Sequence, residues 1–485
     1  MSAGAESNAI KLPFETGEYL ATWDVPNHLG GELEIPGLLT LEQGKYPTGI
    51  LHGAVPIVWT SENGSRVASF PQRYDFETFT GRLSSGAYVA LMNGQLDYWF
   101  ETQGRATGAF AVLSLDKFDA TEHREYSSIE LQIEGLESVA GIAPISHVRM
   151  PRKPGDEPVW SATVGSDAKL AWSSGDHSMT FGYDYTVRAL DFYEFTMAFG
   201  PVVRLTSSTP LTIVDWWLEW VRPLRQLVSL VTGAPRELRY LLAVQSSETV
   251  RAHRDQVFGW DITHVPINSK RAAVDKIRSA VDLAADEVSL LDLLKRWQEL
   301  VAKQQPLLET YGAMTTAADQ HPRSRFLLLL QALEGSFGFE NRAKHATDGA
   351  KYAQKREGIM MRVKALLGKQ DVAFIEKNMR KEAQQGLDAA LASLLKRLPS
   401  SVSDELSASE LVKAVRASHT GGGALPVHSA LTRARNTLSH GSGSFSPEML
   451  SDVADILERV VRSEAIRLLG APDAAQERAL KPRDR

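Results

Sequence analysis

The hydrophobic period of this chain changes near Leu211, and that change limits its fold more than any other feature. Before it, from about residue 18 to 205, apolar and polar residues alternate. Gly31–Leu41 reads GELEIPGLLTL, Ile129–Ile133 reads IELQI, and Ala87–Leu91 follows the same rule, each bounded by Gly, Pro, Asn or Ser. Successive side chains of a strand point to opposite faces, so this alternation predicts half-buried strands. Many short ones predict a sandwich or a barrel. Tyr183–Phe199 alternates less cleanly but is rich in aromatic and β-branched residues, which suit a pleated surface, and predicts one or two more strands.

From Leu211 the apolar residues Ile213, Trp216, Trp217, Trp220, Leu224, Leu227 and Val228 recur at steps of three and four. That spacing predicts an amphipathic helix over about 211–232, kinked at Pro223. The three tryptophans share their stripe with aliphatic residues, which favours core over a stacking platform for bases. Strands over Leu238–Val244 and about Val257–Val265, and a helix over about 289–308, complete a first domain at 1–315.

From Pro322 onward the pattern is helical throughout. Helices are expected over Arg325–Phe339, Lys351–Leu367, Asp371–Leu398, Ser407–Ser418, Val427–His440 and Pro447–Leu469. Ser407 with Glu410 forms a capping box, Gly441 follows a helix end, and Pro447 opens a helix after Ser446. Thr420–Ala424 is a glycine-rich connection. The predicted fold class is thus α+β multidomain. A strand-rich N-terminal domain with added helices precedes an all-α bundle over 322–470, and a charged tail over 471–485 is expected to be flexible.

A chain of 485 residues is too long for one core. The absence of cysteine excludes disulfides, thiolate metal sites and cysteine nucleophiles. The first residues, MSAGAESNAIKLPFE, lack a basic stretch leading into an apolar one, and runs such as Phe326–Leu330 are too short to cross a bilayer, so a cytoplasmic location without membrane attachment is expected. The net charge of −6 hides a division. Residues 1–321 hold 27 basic and 40 acidic side chains, whereas residues 322–485 hold 26 and 19. Only the C-terminal part has the excess of cations that phosphate binding requires. Within it Lys355 and Arg356, in a stretch running from Arg342 to Lys364, are candidate RNA contacts. Neither a phosphate-binding glycine-Lys-Ser loop, nor a dinucleotide fingerprint, nor a glycine-bounded serine elbow occurs. His419, His428 and His440 have no usual zinc spacing, and neither metal nor cofactor is expected.

The segment Leu431–Gly441 reads LTRARNTLSHG and ends a predicted helix with Arg435, Asn436 and His440. Five helical positions correspond to about 7.5 Å of rise and about 140° of rotation, so Arg435 and His440 flank a groove edge instead of sharing a stripe. A second copy across a two-fold axis would gather two of each around one phosphate. These residue types suit metal-free RNA cleavage. An imidazole takes the proton of a ribose 2′-hydroxyl, and a guanidinium holds the phosphate oxygens as charge develops. Asn436 is suited to orienting either one. The products of such chemistry are a 2′,3′-cyclic phosphate and a 5′-hydroxyl.

On Arg435, Asn436 and His440 the chain resembles the HEPN superfamily of helical ribonuclease domains, whose signature is Arg, a polar residue, three or four others, then His. The resemblance spans about 322–470, and Arg325–Glu334 (RFLLLLQALE) is similar to the family's first core helix, with Glu334 at its polar edge. It implies catalytic roles for Arg435, Asn436 and His440 in a composite site, formed by a homodimer or higher even oligomer. The order of parts, with Gly31–Gly44 followed by an HGxxP-like turn at His52–Pro56, looks like the ApeA family of abortive-infection proteins. That likeness implies anti-phage defence, a first domain that answers a phage-derived trigger, and host RNA, tRNA among it, as the target. The competing expectation is a non-catalytic sensor whose helical domain only dimerises.

Overall fold

The computed structural model describes residues 8–26, 32–55, 60–62, 65–68, 71–99, 103–118, 124–149, 161–165, 168–189, 195–245, 254–316, 320–379, 386–420 and 424–482. Contacts divide the chain into two compact units, residues 1–295 and 296–485.

The first unit runs β1 (Gly17–Pro26), β2 (Glu32–Leu41), β3 (Thr48–Leu51), β4 (Thr60–Glu62), β5 (Ser65–Val67), β6 (Gln72–Leu83), β7 (Tyr88–Trp99), β8 (Gln103–Ser114), β9 (Tyr126–Ile133), α1 (Leu136–Ala140), β10 (Ile145–Arg149), β11 (Ser161–Val164), β12 (Leu170–Ser174), β13 (His177–Ala189), β14 (Phe195–Leu211), α2 (Ile213–Asp215), α3 (Arg222–Thr232), β15 (Leu238–Val244), β16 (Arg254–Gly259) and α4 (Arg271–Val274). The expectation of a sandwich or barrel resolves into a barrel with a wing. Strands β8, β3, β2, β1, β6 and β7 pair in that order, and β7 returns to β8, closing a six-stranded antiparallel barrel. Closure gives each of those strands a partner on both sides, although β1 meets β6 only over Ala21–Trp23.

β8 is the branch point. Its residues 104–107 pair with β3, whereas 110–113 pair with β16, from which β15, β9, β14, β13 and β12 extend the sheet. Inside the barrel Trp23 is fully buried, stacks on Phe79 at 5.2 Å and donates its Nε1–H to the carbonyl of Ile50 at 3.2 Å. Glycine is required beside it. A Cβ on Gly49 would sit 2.7 Å from the indole, and one on Gly81 would sit 2.9 Å away.

A buried ionic cluster joins the wing to the barrel. Asp255 on β16 accepts from Arg124 at 2.8 Å and from the Tyr126 hydroxyl at 2.9 Å. The helix expected over 211–232 forms, and Trp216 and Trp220 are core, as their stripe predicts. Trp216 also donates to the Tyr126 carbonyl at 2.9 Å, fixing the helix to β9. Between α2 and α3, Trp216–Val221 widens into a π-helical turn in which the Arg222 N–H reaches the Trp217 carbonyl. Pro223 explains it: proline has no N–H to give, and its ring crowds the carbonyl four residues back, so the turn before it widens.

The second unit begins inside α5 (Leu290–Ala302) and continues through α6 (Pro306–Thr316), α7 (Pro322–Glu340), α8 (Arg342–Leu366), α9 (Lys369–Asn378), α10 (Leu387–Arg397), α11 (Ser400–Ala408), α12 (Glu410–Ala417), α13 (Val427–Ser439), α14 (Pro447–Leu468) and α15 (Asp473–Leu480). The apolar face of α14 forms its centre, with Val453, Leu457, Val460, Val461 and Ile466 buried. Around it pack α6, α7, α11, α12 and α15.

Several expectations change here. The helix expected over 289–308 is two helices, because Gln304 adopts φ +56 and Pro306 starts anew. α6, read from sequence as part of the first domain, packs on α7. The cap of α12 is Ser409, whose hydroxyl accepts from the Val412 N–H at 3.4 Å, not Ser407, which lies within α11. The tail is not flexible over its whole length, since α15 buries Ala475, Ala479 and Leu480. Pro447 and Gly441 stand where their sequence context puts them, Gly441 at φ +65. Residues 421–423 of the glycine-rich connection and Pro56 of the His52 turn lie outside the described residues. Among the described residues no helix is long and apolar enough to cross a membrane.

Candidate functional site

α13 buries Val427, Ala430, Leu431, Ala434 and Leu438. Their steps of three and four make one stripe, so the residues between them are turned away from the core. Arg435 is left half-buried at its edge, and Asn436 and His440 are exposed. His440 caps the helix: its backbone N–H donates to the Asn436 carbonyl at 3.0 Å. Among the described residues its imidazole has no hydrogen-bonding partner. A side chain in that state keeps both ring nitrogens for a ligand.

The guanidinium of Arg435 reaches two groups. Nη1 donates to Oδ1 of Asn436 at 3.2 Å, and Nη2 faces Oε2 of Glu334 on α7 at 3.5 Å. The two partners of that ion pair are 36% and 33% exposed, which puts it among surface pairs worth about 0.2–1 kcal/mol. Such a contact orients the guanidinium without binding it tightly. A phosphate, with more oxygens and more charge, is the stronger acceptor.

Other bundle arginines are held harder. Arg325 on α7 joins Asp455 at 2.6 Å and also Glu458, while Arg467 reaches Glu464 at 2.7 Å and Glu340 at 2.5 Å. Arg435 is the looser cation.

The structure adds one residue that the sequence did not point to. Arg323, in the first turn of α7, donates from Nη2 to the Leu438 carbonyl at 2.5 Å. It lays a cation against the C-terminal end of α13, where unpaired carbonyls carry partial negative charge. No local pattern announces it, because the contact spans 115 residues. Arg435, Asn436 and His440 thus occupy the last turns of one helix, with Glu334 facing the first of them and Arg323 braced at the helix end.

The remaining candidates lie elsewhere. Lys355 is exposed on α8, whereas Arg356 is turned inward with its Nε out of contact with solvent. His419 meets Arg433 at 2.8 Å, and His428 lies 4.0 Å from Asp388.

Residues 18–238 match the family model ApeA N-terminal domain 1. No curated protein and no solved structure matches the chain. The ApeA-like region takes in the barrel, most of the wing and the helical stretch through α3, and it ends at Leu238, the first residue of β15. This agrees with the ApeA resemblance drawn from the His52 turn and the order of parts. The helical unit lies beyond the ApeA-like region, so its own resemblance rests on Arg435, Asn436 and His440.

Proposed function

We propose that this protein is an anti-phage effector in which the ApeA-like region governs a metal-independent endoribonuclease formed by the helical unit. The observation that carries the reading is the end of α13. Among the described residues it offers an unpartnered, exposed imidazole at His440, after an Arg435 held by a weak ion pair and the side chain of Asn436. In the reaction, the imidazole of His440 takes the proton of a ribose 2′-hydroxyl, and the 2′-oxygen attacks phosphorus. The bond to the 5′-oxygen breaks, and that oxygen takes a proton from a second His440, supplied by another copy of the chain. Arg435 leaves Glu334 for the phosphate and stabilises its charge in the transition state, while Asn436 fixes the guanidinium. The products are a 2′,3′-cyclic phosphate and a 5′-hydroxyl. A homodimer brings the two histidines together, and host RNA, tRNA included, is the substrate class.

The test is purified protein with total RNA, in EDTA, followed by mapping of new ends. The wild-type chain is expected to leave cyclic phosphate ends, and His440→Ala to leave none while its circular dichroism stays native. Cleavage by His440→Ala at the wild-type rate would refute the proposal. A folded wild-type chain that dimerises yet cuts no RNA, with or without phage infection, would favour a binding protein instead.

A further inference from the structure

α8 is a 25-residue helix that buries only Met360, and it carries two glycines, Gly349 and Gly358, with nothing within 4 Å of a Cβ at either. Helices normally gain their stability by burying an apolar face, and interior glycine weakens them. Among the described residues, packing of an apolar face therefore does not by itself account for α8. Its side chains show what else the helix is suited to. At 100° per residue, Lys344, Lys351, Lys355 and Arg362 fall within about 40° of one another, in a line about 27 Å long. All four are exposed. The half-buried residues His345, Tyr352, Arg356, Ile359 and Val363 centre roughly 100° away around the same helix.

The row is poor in counter-charge. Asp348 lies at its edge between Lys344 and Lys351, yet among the described residues neither lysine pairs with it, and Lys355 has no ion pair either. Arg362 donates to the Gly358 carbonyl of its own helix at 3.3 Å and keeps its charge. Aromatic residues are absent from the row. Proteins that hold single strands interleave cations with aromatic platforms for the bases. A straight row of cations alone reads phosphates held at fixed positions, as in a duplex, and reads them without regard to sequence.

The geometry points to α8 as a docking rail for double-helical RNA, with Lys344, Lys351, Lys355 and Arg362 against the phosphate backbone of a stem. This rests on the ribonuclease reading and adds the form of RNA that the bundle takes. It also separates the adjacent pair Lys355 and Arg356: the first belongs to the rail and the second does not.

The experiment uses the full chain with Lys344→Gln, Lys351→Gln, Lys355→Gln and Arg362→Gln combined. A control removes four charges off the row, at Lys364, Lys369, Lys377 and Lys396. Binding of a labelled 20-base-pair RNA duplex and of a single strand of equal length is followed by anisotropy from low to high salt. The rail variant is expected to lose at least tenfold in duplex affinity at low salt, with its log–log salt slope shallower by about 3 to 4, as four lost phosphate contacts require. The control is expected to stay within about threefold of wild type. Equal losses in both variants, or a rail variant that binds duplex as wild type does, would overturn the rail. So would a loss for the single strand greater than for the duplex, or wild-type binding to phosphatidylserine vesicles in preference to RNA. The His440→Ala cleavage assay is independent: normal duplex binding by the rail variant beside a dead His440→Ala removes the rail and leaves the nuclease standing.

Discussion

Neutralising Glu334 separates a carboxylate that works in catalysis from one that only parks the guanidinium. In Glu334→Gln the side chain keeps its length and loses its charge, so the 3.5 Å pair with Arg435 disappears. Both groups are about one-third exposed, and pairs of this kind contribute about 0.2–1 kcal/mol. Unfolding free energy should therefore drop by less than about 1 kcal/mol. The same quantity is what a phosphate must overcome to draw Arg435 away. At about 1.4 kcal/mol per tenfold, KM for RNA is expected to fall by at most about fivefold in the variant, with kcat nearly unchanged. Arg435→Ala supplies the contrast, since losing a donor aimed at transition-state charge costs about 10² to 10³ in kcat. The assay is initial-rate cleavage of one end-labelled RNA at several concentrations, with thermal unfolding run alongside. A folded Glu334→Gln variant with kcat down more than tenfold contradicts the reasoning, for Glu334 would then act in the reaction itself.

Three further outcomes follow from the packing. Asp255→Ala removes the carboxylate paired with the Arg124 guanidinium, whose side chain is only 10% exposed, and should destabilise the first unit by about 3–5 kcal/mol in denaturant titration; a loss under about 1 kcal/mol would show that Ser114 and the carbonyls of Asp116 and Lys117, which also accept from Arg124, hold the charge well enough alone. His264 is pushed down to about 4 by burial, and among the described residues its Nδ1 has no hydrogen-bonding partner. It folds neutral, so its contribution is intact above about pH 6.5 and is lost as pH falls toward 4, by up to roughly 3 kcal/mol. His264→Asn, which tolerates the φ of +58 at this position, should flatten that slope in a series of unfolding curves; an unchanged slope assigns it to other groups. Finally, Gly349→Ala and Gly358→Ala meet open space and should each stabilise α8 by about 0.5–1 kcal/mol, read as slower amide exchange confined to that helix. Faster exchange would mean that a close approach to these glycines matters.

What the sequence disclosed was local. Ser446 before Pro447, Gly441 after a helix, and the alternation of Glu32–Leu41 each depend on neighbours a few residues apart, and each appears in the fold. Pro223 announced a disturbance but not its form, because a proline satisfies its helix by a kink or by a widened turn alike. The break between α5 and α6 was hidden: Gln304 carries no preference for its positive φ, and the apolar pattern runs through it. α15 is hidden in the sequence because its apolar stripe, Ala475, Ala479 and Leu480, is small and lies among charged residues. The closure of the barrel and its branch at β8 depend on pairings far apart in the chain, for which alternation supplies strands but no partners. The candidate site divides in the same way. Arg435, Asn436 and His440 form a legible motif within six residues, whereas Glu334 meets Arg435 across 101 residues and Arg323 meets α13 across 115. Only the folded chain brings those together.

Attack by a ribose 2′-oxygen, with His440 as the group that removes its proton, is the central claim. Its most direct test is a synthetic RNA spanning a mapped break, made with the native ribose and again with a single 2′-O-methyl on the nucleotide 5′ to the scissile phosphate. The native RNA should be cut by the wild-type chain to a 2′,3′-cyclic phosphate, and the methylated one should stay whole at that bond. Cutting of both at equal rates would contradict the account.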